Sequence, residues 1–214
     1  MRRFPILIAA FSILCLTGAG QPIPQRMFQS YSAQDKARLD QISAYLNSIR
    51  TLRSEFVQIG PEGSAEQGEL YIEKPGRVRF AFRPPNPVSI VATGGRIYVK
   101  NARLNTLDNW DLDDTPLGLL LNEKVDLARN KAVLGVTEQD GALIVRARTS
   151  TNRNNSNITL VFSAPAIELR QWTVKDNQGG TTTVALQGAQ TGGSLDQALF
   201  AVPVKAVKVK QSSR

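Results

Sequence analysis

Residues 68–82 read GELYIEKPGRVRFAF, and their pattern decides the fold. Leu70 and Ile72 alternate with Glu69, Tyr71 and Glu73; Val78, Phe80 and Phe82 alternate with Arg77, Arg79 and Ala81. A period of two is the mark of a strand with one dry face and one wet face. Between the two runs, Lys74-Pro75-Gly76 supplies the turn chemistry that reverses a chain within a few residues, so the pair reads as an antiparallel hairpin. A hairpin that is apolar on one side needs a cover for that side.

Working outward, the same period predicts strands near 53–59, 67–73, 77–82, 88–92, 96–100, 132–137, 143–149, 157–162, 167–174 and 180–187, joined by corners such as RPPNP, TGG, EQDG and DNQGG. Short corners make neighbouring strands antiparallel, so the body reads as one antiparallel meander. Two segments break the period. Ser32, a plausible N-cap with Asp35 three residues later, opens a helix whose Leu39, Ile42, Leu46 and Ile49 share a face. TPLGLLLNEKVDLARN (115–130), with Thr115 as cap and Pro116 at the first helical position, predicts a second, short helix. Both helices are expected on the apolar face of the sheet.

The first twenty of the 214 residues carry Arg2 and Arg3, an apolar run from Phe4 to Leu16 and small residues at Thr17–Gly20, the anatomy of a cleaved secretory signal. Residues 21–31 read as a leader, 32–204 as a single domain and 205–214 as a basic tail. Cys15 falls inside the apolar run, so the mature chain is expected to hold no cysteine, and the sequence has no histidine. That removes disulfides, most zinc sites and every Ser/His or Cys/His nucleophile pair. Without Arg2 and Arg3 the basic residues fall from 26 to 24 against 18 acidic, leaving +6, a charge suited to anionic surfaces in general. The acidic stretch LDNWDLDD, with Asp108, Asp111, Asp113 and Asp114, lacks the glycine and glutamate of a calcium loop and reads as a solvated loop. Trp110 and Trp172 read as core aromatics before sugar or base platforms, and Gly94-Gly95 as a corner without a phosphate loop's lysine. No catalytic constellation emerges, so the chain is read as a non-enzyme without cofactor or metal.

SEFVQ (54–58), GELYIEKPGRVRFAF (68–82), ATGGRIYV (92–99), TPLGLLL (115–121) and LDQALFAVP (195–203) occur in an order that resembles the periplasmic outer-membrane lipoprotein carriers, LolA. The resemblance implies a mainly β fold with α: a single curved antiparallel sheet, an unclosed barrel of about 10–11 strands, with helices covering its concave apolar face around a hydrophobic cavity. It implies a monomeric periplasmic carrier. Such a carrier takes acylated lipoproteins from an inner-membrane ABC-type exporter, shelters their acyl chains and passes them to an outer-membrane receptor or membrane, with no part for nucleic acid. Three acyl chains in water cost roughly 30 kcal/mol at ~0.8 kcal/mol per methylene, so a carrier must offer a comparable apolar surface. Alternation nominates Phe56, Leu70, Ile72, Val78, Phe80, Phe82, Ile90, Ile97 and Val99 for it, with Leu117, Leu120 and Leu121 as the lid; an ordinary packed core is the competing reading.

The resemblance further implies a latch: the basic residue before the corner proline, here Lys74, bonds backbone carbonyls near Leu46, Leu120 and Leu121. The family pattern has arginine at this position. Lysine's mobile ammonium replaces a five-donor fork, so an easier opening, or help from Arg77 or Arg79, is expected. Two other readings stay open: a sensor or interaction domain on the same scaffold, and a binder of free lipid.

Overall fold

The computed structural model describes residues 31–150 and 155–202. The expected signal segment, nearly all of the leader and the basic tail lie outside the described residues. The first helix, α1 (Ala33–Ser48), starts as expected: Asp35 N–H donates to Ser32 Oγ at 3.0 Å, filling one of the donors a helix start leaves open. Leu39, Ile42 and Leu46 are buried on one face, and Ile49 follows just past the end.

Among the described residues eleven antiparallel strands make one sheet: β1 (Thr51–Ile59), β2 (Ala65–Glu73), β3 (Arg77–Phe82), β4 (Val88–Thr93), β5 (Arg96–Asn101), β6 (Thr106–Asp111), β7 (Val133–Gln139), β8 (Ala142–Ser150), β9 (Asn155–Ser163), β10 (Leu169–Lys175) and β11 (Thr181–Thr191). Their order is β6-β5-β4-β3-β2-β1-β11-β10-β9-β8-β7. The expected single meander is therefore two. The chain starts in the middle, steps out to β6, crosses to β7 through residues 112–132, and steps back until β11 pairs with β1. Among the described residues strands β6 and β7 are the unjoined ends of the sheet, so the barrel is unclosed.

At the junction of the meanders, two β11 residues face Ser54 alone: Gly188, at φ 61°, and Ala189 lie between the pairs Arg53↔Gln190 and Glu55↔Gln187. This is a bulge of the kind that bends a sheet, and Ser54 Oγ donates to the Gln187 carbonyl at 3.0 Å beside it. Further register shifts in β10 and β7 add to the curl. The β7–β8 corner, Asp140-Gly141, takes left-handed φ at both residues (50° and 73°), the two-residue hairpin geometry that matches strand twist.

Two expectations fail locally. LDNWDLDD is no solvated loop: its first half is β6, paired to β5 from Arg96↔Asp111 to Asn101↔Thr106. Asp and Asn are rare in strands, which hid it; on an edge they are tolerated, because charge there discourages pairing with strangers. The expected helix over 115–130 shrinks to one turn, α2 (Gly118–Leu121). Thr115 does not cap it. Instead Thr115 closes a 3-10 turn, Leu112–Asp114, by donating from Oγ to the Leu112 carbonyl at 2.7 Å. Past Asn122 the chain is irregular, with Val125 and Leu127 buried two residues apart, a spacing that suits extended backbone.

The concave face and the segments over it form one buried cluster. A smaller apolar contact lies on the convex side. Val91, on the face opposite Ile90 and Ala92, is fully buried, and a 3-10 turn at Gln197–Phe200, with Phe200 buried, packs against β3 and β4.

Gly68 sits opposite Phe56, where a Cβ would come within 2.3 Å of the Ala81 carbonyl and 2.8 Å of the Phe56 ring. We expect Gly68→Ala to lower the unfolding free energy by about 1–3 kcal/mol, read as a shift in the urea midpoint.

Candidate functional site

Cross-strand register turns the alternating residues into rows that run across the strands. One row passes Leu70, Phe80, Ile90 and Val99; the next passes Leu52, Ile72, Val78, Ala92 and Ile97; Phe56 stands beside Gly68 and Phe82 above them. Beyond Phe56 the row changes character: Gln58 faces Glu66, a polar rim. Phe56 meets Phe80 and Phe82 edge-on, with centroids 5.4 and 5.2 Å apart, and Phe80 meets Trp172 at 6.2 Å.

Of the twelve apolar residues nominated from sequence, Phe56, Leu70, Ile72, Val78, Phe80, Ile97, Leu120 and Leu121 are buried in the one cluster. Phe82, Ile90 and Leu117 are half-buried against it, and Val99 is half-buried outside it. The nominations covered only half of the wall. The second meander contributes a matching row, Val136, Val145, Leu160, Trp172 and Val184, in register from strand to strand. Its period-two pattern is present in the sequence, but alternation alone does not say that these strands share the concave face with the first meander.

The roof is made of α1 and the 112–132 crossing, and few hydrogen bonds join them. Asn47 Nδ2 donates to the Val125 carbonyl at 2.8 Å, while Val125 N–H donates back to Asn47 Oδ1 at 2.8 Å. Leu127 N–H donates to Ser43 Oγ at 3.0 Å, and that hydroxyl donates to the Leu39 carbonyl at 2.7 Å. Toward the second meander, Leu169 N–H donates to the Tyr45 hydroxyl at 3.1 Å.

The β2–β3 corner is tied to both roof segments. Lys74 is buried, and its Nζ donates to the Leu46 carbonyl at 3.0 Å. The Leu121 carbonyl, another of the expected partners, accepts from Gly76 N–H at 2.9 Å instead; no bond joins Lys74 to Leu120 among the described residues. Lys74 N–H donates to the Arg50 carbonyl at 2.8 Å. Burial pushes the Lys74 ammonium below its usual range, and the Arg50 charge adds to that.

Arg77 and Arg79 lie on the other face of β3, so neither is placed to assist Lys74. Arg77 pairs with Glu73 at 2.8 Å and lies over the Phe200 ring at 5.4 Å. The Gln197 amide completes this outer pair: its oxygen accepts from Arg77, and Nε2 donates to Glu73 at 3.1 Å. Among the described residues no group of three or more Asp, Glu, Cys or His is arranged to hold a metal ion, and no helix is long and apolar enough to cross a membrane.

A family model described as "Outer membrane lipoprotein carrier protein LolA" matches residues 47–203. The outer-membrane lipoprotein carrier protein of Methylococcus capsulatus is 24% identical over 168 residues, covering 74% of this chain and 80% of its own. That of Cupriavidus necator is 24% identical over 200 residues, covering 86% and 93%. Among solved structures, a LolA superfamily protein from Nitrosomonas europaea aligns over 76% of this chain and 97% of its own with a TM-score of 0.39 and 8% identity.

With its pKa depressed, Lys74 leaves the unfolded chain holding more protons than the folded one between the lowered value and 10.5. Its contribution to stability therefore rises with pH across that window, as the cost of burying the charge is relieved. An NMR titration of the Lys74 side chain is expected to give a midpoint below 10.5; the pH dependence in that window should be flatter in Lys74→Met.

Proposed function

The chain belongs to the LolA family of outer membrane lipoprotein carrier proteins, and from that premise we propose that it carries acylated proteins through the periplasm with their lipid chains held against the concave face. The observation that supports this most is the set of apolar rows, in register within each meander and meeting across the seam at Phe56 and Leu186, beneath a roof held by a handful of hydrogen bonds.

In the described conformation the wall residues are sheathed by Leu39, Ile42, Leu46, Leu120, Leu121, Val125 and Leu127. An acyl chain enters by taking the place of those roof contacts. The exchange is close to neutral in apolar burial, because a methylene withdrawn from water gains ~0.8 kcal/mol wherever its new neighbours come from. What remains to be broken is polar: the Lys74 and Gly76 bonds to the ends of α1 and α2, and the Asn47 and Ser43 bonds to the crossing segment. Half-buried Phe82 and Ile90 mark the side where a chain first finds apolar surface. In this mechanism the exporter and the outer-membrane receptor meet the carrier from the roof side, and no covalent bond changes.

Lys74 acts here as a latch rather than a ligand. A hydrogen bond to a charged donor contributes ~1.5–3 kcal/mol, so its loss shifts the closed–open balance by roughly ten- to a hundredfold. Lys74→Leu is expected to speed amide exchange at Gly76 and to slow release of bound lipoprotein to a receptor. Unchanged loading and release in this variant would remove the latch.

Purification of the mature chain from periplasm, followed by mass spectrometry, separates the readings. A carrier brings acylated protein; a free-lipid binder brings extractable lipid alone; a sensor brings one stoichiometric protein partner. Phe82→Asp and Ile90→Asp, at the half-buried edge, are expected to cut co-purified cargo severalfold while leaving the strands paired.

A further inference from the structure

Two of the apolar rows end on β6, and they end in different chemistry. Leu70, Phe80, Ile90 and Val99 lead to Asp108; Leu52, Ile72, Val78, Ala92 and Ile97 lead to Trp110. Exposure grows along both. In the first, Leu70 and Phe80 are buried, Ile90 and Val99 half-buried and Asp108 exposed; in the second, Ile97 is 7% exposed and Trp110 51%. Asp108 and Trp110 stand two residues apart on one strand, so both side chains leave the same concave face, about 7 Å from each other at ~3.4 Å per residue. Asn109 and Asp111 alternate to the convex face, where Arg96 holds both.

Asp111 thus has its cation, while among the described residues no hydrogen bond or ion pair reaches the Asp108 carboxylate. A carboxylate without a counter-charge, beside an exposed indole face at the open end of an apolar strip, suits an amphiphile with a positive head. We propose that Asp108 and Trp110 form a subsite for a lysine or arginine side chain close behind the acylated residue of the cargo, the carboxylate meeting the charge and the indole face lying under it. The inference rests on the carrier reading and narrows it. From Leu70 to Asp108 the row crosses four strand spacings, about 19 Å at ~4.8 Å each, somewhat more than the ~15 Å of one leaflet's hydrocarbon. An acyl chain lying on it with its tail under the roof has its head at β6.

Other heads suit the pair less well. A carboxylate or phosphate meets Asp108 with like charge. A phospholipid ammonium brings its own phosphate to the same place. A neutral hydroxyl bonds the carboxylate but leaves the indole face unused, and a wholly apolar head would strip water from Asp108 with nothing in return. A metal ion finds no group of three Asp, Glu, Cys or His among the described residues. A guanidinium or ammonium satisfies both members: a cation within ~6 Å of an indole centroid is drawn to its face, and the flexible stem packs on the neighbouring Val99 and Ile97.

The test uses the mature chain and lauroyl tetrapeptides that carry two lysines, two glutamates or two serines behind the acylated residue, with affinities read by calorimetry. The lysine peptide is expected to bind roughly fivefold tighter than the glutamate peptide. That order runs against the net positive charge of the chain, which on its own favours glutamate. Added salt shrinks the ratio. Asp108→Asn is expected to abolish the lysine preference, Asp108→Lys to reverse it and Trp110→Leu to reduce it partway. Both positions are exposed, and an unchanged thermal midpoint shows that each change is local. Equal affinities for the three peptides, or a lysine preference that survives Asp108→Asn, overturn the subsite and leave the carrier reading standing. Failure of every acylated peptide to bind overturns both.

Discussion

The β2–β3 corner binds the two sides of the sheet to one another. On the inner side Lys74 Nζ and Gly76 N–H hold the carbonyls of Leu46 and Leu121, the ends of α1 and α2. On the outer side Glu73 and Arg77 close an ion pair around the Gln197 amide, with Phe200 under the guanidinium. Four positions flanking one proline, two on each side, thus connect the roof, the hairpin and the last turn of the described chain. The corner can do this because alternation sends neighbouring side chains to opposite faces, while the turn frees backbone groups that a ladder would otherwise consume.

An unclosed barrel has two seams to protect, and this one treats them differently. Strand β7 is covered: Arg38 from α1 reaches Glu138, and the Tyr31 hydroxyl donates to the Val133 carbonyl at 2.8 Å. Strand β6 is guarded by composition, with Asp108, Asp111 and Asn109 discouraging a foreign strand. The asymmetry follows from the crossing segment, which leaves β6 at Leu112 and travels over α1 before reaching β7. The covered seam belongs to the roof; the bare one leaves Trp110 half exposed to water.

Most of the sheet was legible because a half-buried strand writes its burial directly into its sequence. Ten of the eleven strands follow from period two, and α1 from a three-four spacing behind Ser32. β6 was not legible. Its Asp and Asn residues argue against a strand one by one, while the backbone ladder to β5 and the Arg96 bonds to Asn109 and Asp111 depend on a partner strand that no one-residue preference contains. The second, short helix expected within 115–130 misled for a related reason: Leu120, Leu121, Val125 and Leu127 are apolar because the wall needs them, and the wall accepts them from irregular backbone as readily as from a helix. At the candidate site, Lys74 could be placed only through likeness to a family. The Gln197 bridge and the exposure of Trp110 carried no signal in the order of residues, since both depend on where distant segments come to rest.

The pairing of β1 with β11 sets a timetable. These strands stand more than a hundred residues apart, and their ladder is the seam along which the two meanders become one sheet. As the chain emerges, each meander can assemble from near neighbours, but bringing the ends together carries the entropy of a long loop. Until then Phe56 and Leu186 each lack the partner that buries one flank. A chain cut short between Lys175 and Thr181 would present two unfinished half-sheets with greasy inner faces and a bare central edge, a form that sticks to its own kind. Completion of the last strand is thus what makes the molecule safe to release into a crowded compartment.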